Sequence, residues 1–199
     1  DVGDVAAVRR AVLGFLQNRN AAYYNKILQA LRQFFDYLID ECGMKFVNPC
    51  KGLKYKPTPR RIVDHDAETI KSFLKVPDKS SFVGYRDYVF MILMIDTGIR
   101  PHEAIQLQVA DVEPKGVWVR EAAAKTRQPR FLPASPMVLN GMRRLIHAKA
   151  EFSRINDYVF VTNAGKPLSV RELRWRFRTH AEKLSINLTP YHLRHFFAL

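Results

Sequence analysis

Apolar side chains recur at helical spacing through the N-terminal part of the chain. One series spans residues 5–15 and a second spans residues 24–38, and the polar segment 17–20 separates them. Spacings of three and four residues gather the apolar side chains on one face of a helix, which is then buried against a partner. The pattern therefore predicts two amphipathic helices, followed by a short turn that leads to Asn48 and Pro49.

A basic, proline-containing segment follows these helices. Residues 54–61 read Lys-Tyr-Lys-Pro-Thr-Pro-Arg-Arg, with two prolines, four cations and no acid. Prolines interrupt regular structure and like charges repel, so the segment is typical of a linker between domains. We expect a helical domain over residues 1–57, a basic linker over 58–63 and a second domain over 64–199. The first domain is small for a helical core and is expected to lack a helix at its N-terminus.

The second domain is predicted to begin with two helices. Asp64 or Asp66 can cap a helix that reaches Leu74. Segment 85–95 is apolar on nearly all sides, which indicates a buried helix and not a surface one. Gly98 suits the left-handed residue that ends such a helix.

Short strands and further helices complete the predicted order. Segments 116–120 and 130–132 are predicted to be strands joined by a polar loop, and 158–161 a third strand before the turn 163–165. Helices are predicted from Pro136 through Ile146, from a capping box at Ser169 and Glu172 to about Leu184, and from Pro190 onward. The predicted fold class is mainly α with a small β-hairpin or sheet (α+β).

The charge balance indicates a polyanionic partner. Lys and Arg number 32 against 19 Asp and Glu, which gives a formal net charge of +13. Such an excess favours association with nucleic acid, although charge alone also fits a soluble basic protein without that partner.

Other classes of protein are not favoured. Cys42 and Cys50 are too far apart for a CxxC site and too few for a disulfide framework, so both are predicted to be reduced thiols in the core. No apolar run approaches the roughly 20 residues that span a bilayer, and no signal peptide pattern is present. We expect a protein without a membrane partner, located in the cytoplasm with the nucleoid.

Arg100 is the first candidate for phosphate binding. It precedes Pro101, and a residue before proline is pushed into an extended conformation. Its guanidinium is then presented at the N-terminus of a short helix, where anions are favoured. Glu103 could hold the Arg100 fork in place or be a plain helix-start acid, and an ordinary surface arginine remains the alternative for Arg100.

A second arginine occupies a similar position near the C-terminus. Spacing of three places Tyr191 and Arg194 on one helical face, with His192 and His195 on a neighbouring face. Two arginines at one phosphate would match its two non-bridging oxygens. The histidines could instead be a metal pair or surface residues, but no acid or Cys cluster accompanies them, so no metal is predicted.

Further basic residues are candidates for contacts with DNA. Lys125 lies on the hairpin loop beside Arg127 and Arg130, although a solvated loop explains these residues equally well. A helical face that carries three arginines is often solvated, but the net charge here favours phosphate contact. The predicted set comprises Lys54, Lys56, Arg60, Arg61, Arg127, Arg130, Arg171, Arg174, Arg178, His192 and His195.

Four segments together resemble the tyrosine recombinase (phage integrase) family, in the family's order and along nearly the whole chain. The first arginine box resembles Thr-Gly-Ile-Arg-Pro-His-Glu-Ala-Ile-Gln-Leu at 97–107, with Asp111 downstream. The hairpin lysine of the family is similar to Lys125. A strand and turn before a helix resemble 159–169, and the second arginine box resembles Thr-Pro-Tyr-His-Leu-Arg-His-Phe-Phe-Ala at 189–198.

The resemblance implies a site-specific recombinase, integrase or transposase that cuts and rejoins DNA through a 3′-phosphotyrosine. It implies a small helical core-binding domain, a catalytic domain and no cofactor. Arg100 and Arg194 would contact the non-bridging oxygens, and Lys125 would protonate the departing 5′-oxygen. Glu103 and Asp111 would hold these side chains in position without contacting the phosphate themselves. The partner would be double-stranded DNA, bound by a homotetramer whose subunits are monomers when free.

The chain departs from the family pattern in two respects, and these leave alternative functions open. Tyr191 stands where the family usually has histidine, three residues before the second arginine. The family's nucleophilic tyrosine is expected beyond Leu199, so the chain as given is expected to be an inactive fragment. A non-catalytic DNA-binding protein that retains the fold is the alternative function, and a relative of the type IB topoisomerases is a third.

Overall fold

A computed structural model describes residues 4–58, 65–123, 128–152 and 156–197. The chain forms two compact units, Asp1–Ile62 and Val63–Leu199.

The first unit is built on two helices, as predicted. Helix α1 is Val5–Leu16 and helix α2 is Ala21–Asp40. The side chains of Asp4 and Asn20 accept hydrogen bonds from backbone N–H groups in the first turns of the two helices, which fixes where each begins. Their facing sides form a small core of Val12, Leu16, Tyr24, Leu28 and Phe35, to which Cys50 adds from the segment after α2. The prediction of a core position is wrong for Cys42, which is exposed.

Side chains of α1 and α2 hold the segment that follows them. Arg9 Nη1 donates to the backbone oxygens of Pro49 and Lys51, at 3.1 and 2.8 Å. The amide of Asn25 bonds both the oxygen and the N–H of Lys56, each at 2.8 Å. The beginning of the predicted basic segment therefore lies against α2. Residues 59–64 lie outside the described ranges, so the linker over 58–63 stays a prediction.

A buried helix is the centre of the second unit. Helix α4, Phe82–Thr97, begins after the Ser81 cap, three residues before the predicted start, and packs against α6 and α8. The other helices are α3 (Ala67–Phe73, capped by Asp66), α5 (Pro101–Ile105), α6 (Pro136–Ala150), α7 (Val170–Glu182) and α8 (Pro190–Phe197). Residues buried in this core include Phe73, Phe90, Leu93, Val117, Phe160 and Leu193.

Gly98 ends α4 in the predicted left-handed conformation, with φ of 60°. A Cβ atom at this position would lie 2.3 Å from Cδ1 of Phe197. Glycine is therefore required both for the backbone angle and for the close approach of α8, and the chain can turn directly from α4 into Arg100.

The sheet is small and antiparallel. Strands β1 (Val112–Glu113), β2 (Gly116–Val119) and β3 (Arg130–Pro133) pair in the order β1-β2-β3. The β2 and β3 register joins Val119 to Arg130. The two predicted strands and the fold class, mainly α with a small sheet, are confirmed.

The prediction of a strand at 158–161 is wrong. This segment makes only isolated bridges, Gln108 with Tyr158 and Val161 with Pro167. Val159 and Phe160 are fully buried. A buried connecting segment is as apolar as a buried strand, so an apolar run predicts burial but does not establish pairing.

No helix within the described ranges is long and apolar enough to cross a membrane.

A buried ionic network joins α4 to α7. Asp87 is 2% exposed and accepts hydrogen bonds from Arg86, Arg176 and His180, the last two at 2.6 and 2.9 Å. Arg86 is equally buried and also donates to the oxygen of Val161. Burial alone raises the pKa of Asp87, but the His180 hydrogen bond and the Arg86 charge outweigh it and hold the pKa below its ordinary value.

We predict that Asp87→Asn lowers the free energy of unfolding by about 3–5 kcal/mol, because it leaves buried arginines without their anion. Urea unfolding followed by circular dichroism measures this loss. Glu68→Gln is the matched control, since Glu68 pairs with Lys71 in full solvent, and exposed pairs contribute about 0–1 kcal/mol.

The pH dependence adds a second check on the same variant. Asp87 has a lowered pKa when folded, so its stabilisation is complete above the ordinary value of 3.8 and is lost as the pH falls through the lower folded value. The deficit of Asp87→Asn should therefore shrink in acid. A deficit equal to that of Glu68→Gln at neutral pH would contradict the account of the network.

Candidate active site

Arg100 occupies the position that its sequence context predicts. It is the N-cap residue of α5, in extended conformation with φ of −70° and ψ of 141°, immediately before Pro101. Its backbone N–H donates to Glu103 Oε2 at 3.1 Å and its Nη1 donates to Glu103 Oε1 at 3.0 Å. The Glu103 carboxylate thus binds Arg100 at two points, and within the described ranges the other N–H groups of this half-buried side chain make no hydrogen bond.

A second guanidinium binds the same carboxylate. Arg130, the first residue of β3, donates from Nη1 to Glu103 Oε1 at 3.1 Å and from Nη2 to Oε2 at 2.6 Å. The Glu103 side chain is only 1% exposed, whereas that of Arg130 is 30% exposed. Both oxygens of one buried carboxylate are thus satisfied by two arginines that are distant in sequence.

The surroundings keep Glu103 ionised. Burial raises the pKa of a carboxyl group, but the hydrogen bonds from Arg130 and from the Arg100 backbone and side chain, together with the Arg130 charge, hold the pKa of Glu103 below its ordinary value. Glu103 is therefore a fixed negative charge at neutral pH and not a proton donor.

Arg194, on α8, is the third guanidinium of the cluster. Burial lowers its pKa most, the positive charges of Arg100 and Arg130 lower it further, and Glu103 partly offsets them. Among the described residues, no hydrogen-bond acceptor reaches its buried Nη1 atom. A buried charged donor without an acceptor is costly, and an anion bound beside it would remove that cost.

Three arginines and one glutamate therefore carry a formal charge of +2, the sum of three cations and one anion. We name Arg100, Glu103, Arg130 and Arg194 the arginine cluster. It combines fixed donors, partial exclusion of water and an excess of positive charge, which suits an oxyanion such as a phosphodiester.

Tyr191 lies one turn before Arg194 on α8. It is 51% exposed. Tyr191 also borders an open cavity of about 560 Å³ whose wall includes Arg174 and Arg178 and whose floor includes Phe177. Tyr191 is thus accessible from solvent, on the same helix as Arg194.

The two histidines of α8 differ in their surroundings. His192 is 8% exposed, its Nδ1 accepts from the N–H of Thr189 at 3.2 Å, and its ring lies 5.3 Å from that of His65. The structure therefore places it in the packing of the first turn of α8, which corrects its assignment to the DNA-contacting surface. His195 is exposed. No group of residues suited to holding a metal is found in the described part of the chain.

Asp111 supports the sheet and not the arginine cluster. It is buried, accepts from the N–H of Gln108 at 2.8 Å and from Arg120 Nε at 2.5 Å, and so ties the 3-10 turn Val109–Asp111 to the end of β2. This arrangement fixes β2, the strand that pairs with β3. Arg130 is the first residue of β3.

The remaining predicted contacts fall on exposed surfaces. Arg171, Arg174 and Arg178 are exposed on α7, and Arg178 pairs with Glu182 at 3.2 Å. In the first unit, Lys54 and Lys56 are exposed, and Lys56 Nζ lies 4.5 Å from the centre of the Tyr24 ring.

Four predicted residues, Lys125, Arg127, Arg60 and Arg61, lie outside the described ranges, and their roles stay predictions.

Sequence reasoning missed two features of the second unit. It assigned Arg130 to direct DNA contact, whereas the side chain binds Glu103 across 27 residues of sequence. It also did not anticipate that Arg176, unlike its exposed neighbours on α7, turns inward to Asp87. Arg176 is two residues from both Arg174 and Arg178 and therefore lies on the opposite side of α7 from the 171, 174 and 178 face. This spacing was the available signal for Arg176, but no local pattern identifies its partner.

Comparison with known proteins supports one assignment for this site. A model described as the phage integrase family matches residues 64–199. The chain is 31% identical to tyrosine recombinase XerC of Escherichia coli O157:H7 (strain EC4115 / EHEC), and the match covers 98% of this chain and 66% of that protein. The chain therefore spans just under two thirds of the length of this relative.

Solved structures share the fold at low sequence identity. The integrase of transposon Tn1549, in complex with circular intermediate DNA, matches with a TM-score of 0.75 at 17% identity, over 97% of this chain and 70% of that one. A lambda integrase dimer bound to a COC′ core site matches with a TM-score of 0.73 at 17% identity, over 98% and 70%. The family match and the arginine cluster, to which both arginine boxes contribute, lead to one conclusion: this chain belongs to the phage integrase family of tyrosine recombinases.

Proposed function

We propose that the protein containing this chain is a site-specific DNA recombinase or integrase that cuts and rejoins strands through a 3′-phosphotyrosine intermediate. The observation that carries the proposal is the arginine cluster, in which the charges of Arg100 and Arg130 act on Arg194 and a buried Arg194 donor has no acceptor among the described residues. A scissile phosphodiester is the ligand whose charge and oxygen geometry fit such donors.

The proposed chemistry is charge stabilisation at phosphorus. A tyrosine oxygen forms a bond to phosphorus and the bond from phosphorus to the 5′-oxygen breaks. Negative charge grows on the two non-bridging oxygens in the transition state of this exchange. Arg100 and Arg194 would donate hydrogen bonds to those oxygens, which is most favourable in the transition state. Lys125 would give a proton to the departing 5′-oxygen, a role that rests on the family resemblance. Neither step requires a metal or a nucleotide cofactor.

Tyr191 would replace the family's usual histidine. Its hydroxyl can donate a hydrogen bond to a phosphate oxygen but is a poorer base than imidazole near neutral pH. The family's nucleophile is a separate tyrosine, and we do not assign that role to Tyr191.

The proposed partner is double-stranded DNA. The integrase structures similar to this fold are complexes with DNA, and exposed Arg171, Arg174 and Arg178 add positive charge to α7. Phosphate contacts of this kind give affinity that falls steeply with salt. We propose a homotetramer on DNA, monomers in the free state, and action at the nucleoid in the cytoplasm.

A second candidate function is DNA binding without cleavage, which the exposed Tyr191 in place of a histidine favours. The two functions are separated with the full-length product of the gene and a nicked duplex of its target site, from which a cut strand cannot be rejoined. A covalent protein–DNA adduct that disappears in Arg100→Ala supports the enzyme. Tight binding of the same duplex without any adduct supports the binding protein.

We predict that Arg194→Ala reduces the rate of adduct formation by about 10²–10³-fold, the usual effect of removing one oxyanion donor. Its affinity for the duplex should stay within about threefold, because one phosphate contact is a small part of the total. Arg143→Ala is the control, since Arg143 is exposed on α6 and bonds only Asn140 among the contacts described for it. Equal losses of binding and cleavage in Arg194→Ala would contradict its place at the scissile phosphate.

We predict that Tyr191→His preserves or raises the rate of adduct formation, because imidazole is the better proton acceptor near neutral pH. The initial rate between pH 6 and 8 should gain a dependence on a group with a pKa of about 6.5. A collapse of the rate with unchanged duplex affinity would mean that the Tyr191 hydroxyl has a role that imidazole cannot perform.

A further inference from the structure

Arg130 and Arg100 bind Glu103 in different ways. Arg130 uses both terminal nitrogens, one for each carboxylate oxygen, at 3.1 and 2.6 Å. Arg100 uses a single guanidinium nitrogen, at 3.0 Å, and its backbone N–H. Arg130 therefore makes the two-point contact with the carboxylate, and the Arg100 guanidinium is held through one nitrogen only.

This division has an electrostatic consequence. A carboxylate that binds one arginine by both oxygens largely neutralises it and occupies its parallel N–H groups. Glu103 is almost completely buried, so it has no water to satisfy its charge and must take its partners from the cluster. Without Arg130, Arg100 would be the cation next to Glu103, and the formal charge of the cluster would fall from +2 to +1.

We infer that Arg130 is a positioning residue of the phosphate site, which occupies Glu103 so that Arg100 keeps its charge and free N–H groups for the phosphate. This inference rests on the proposed function and replaces direct DNA contact as the role of Arg130. Arg130 acts through Glu103, so its effect depends on the presence of that carboxylate.

A double-mutant cycle with inorganic phosphate tests this dependence on the chain as it stands. Phosphate binding to the wild type, R130Q, E103Q and R130Q/E103Q is followed by titration with ³¹P NMR. R130Q should weaken phosphate binding by about tenfold, the scale of one charge-assisted hydrogen bond. The double variant keeps Arg100 and Arg194 with no carboxylate between them, so its affinity should return to within about threefold of the wild type.

A direct contact between Arg130 and the phosphate predicts a different result for the double variant. If Arg130 touches the phosphate itself, its removal weakens binding even without Glu103, and R130Q/E103Q binds phosphate about tenfold more weakly than E103Q. That outcome would overturn the inference. If R130Q does not fold, as judged by its thermal unfolding midpoint, R130K takes its place, because an ammonium cannot hold both carboxylate oxygens at once. The same rescue by E103Q is expected, and its failure counts in the same way.

A neighbouring pair supplies the matched control. Arg120, just after β2, also binds a buried carboxylate, through one contact from its Nε to Asp111 Oδ1, but its charge is not among those that act on Arg194. R120Q should therefore leave phosphate affinity within about twofold of the wild type. A tenfold loss in R120Q would mean that any disturbance of the sheet weakens the site, and would overturn the specific role of Arg130.

The same titration separates this inference from the proposed function. A wild type that binds no phosphate, or an R194A variant that binds it as well as the wild type, contradicts the phosphate site and the inference with it. Binding that R194A abolishes, combined with no rescue of R130Q by E103Q, contradicts the role of Arg130 alone.

Discussion

A carboxylate with almost no access to water stays ionised only if cations surround it, and Glu103 is held in this state by Arg100 and Arg130. The same contact joins the first turn of α5 to the start of β3. Arg194 approaches from α8 and adds positive charge that Glu103 offsets only in part. The excess of charge at this point is a property of the whole arginine cluster, and it explains why an anionic ligand is favoured there.

The rest of the second unit holds the side chains of the arginine cluster in position. The buried helix α4 packs against α6 and α8, and Gly98 permits both the turn into Arg100 and the contact with Phe197. Asp96, near the end of α4, accepts from the N–H of Ser135 at 2.6 Å and so fixes the segment after β3. Packing around this one helix therefore brings Arg100 and Arg194, which are distant in sequence, into one cluster.

Local sequence features predicted most of the fold and part of the site. Capping residues and helical periodicity placed α1, α2 and α6, and the proline after Arg100 predicted its extended backbone, because these effects act within one turn. The buried segment at 158–161 was taken for a strand, because burial and pairing leave the same apolar pattern. The contact of Arg130 with Glu103 and the burial of His192 could not be predicted, since each depends on residues brought close only by tertiary packing.

The central claim is that Arg100 and Arg194 converge on one phosphate. The most direct measurement is a crystal structure of the chain with orthovanadate, whose oxygens imitate those of phosphorus during transfer. We expect one bound oxyanion with oxygens within about 3 Å of both guanidinium groups, while Arg130 remains on Glu103. Vanadate bound elsewhere in the molecule, or Arg194 turned into the core away from Arg100, would contradict it.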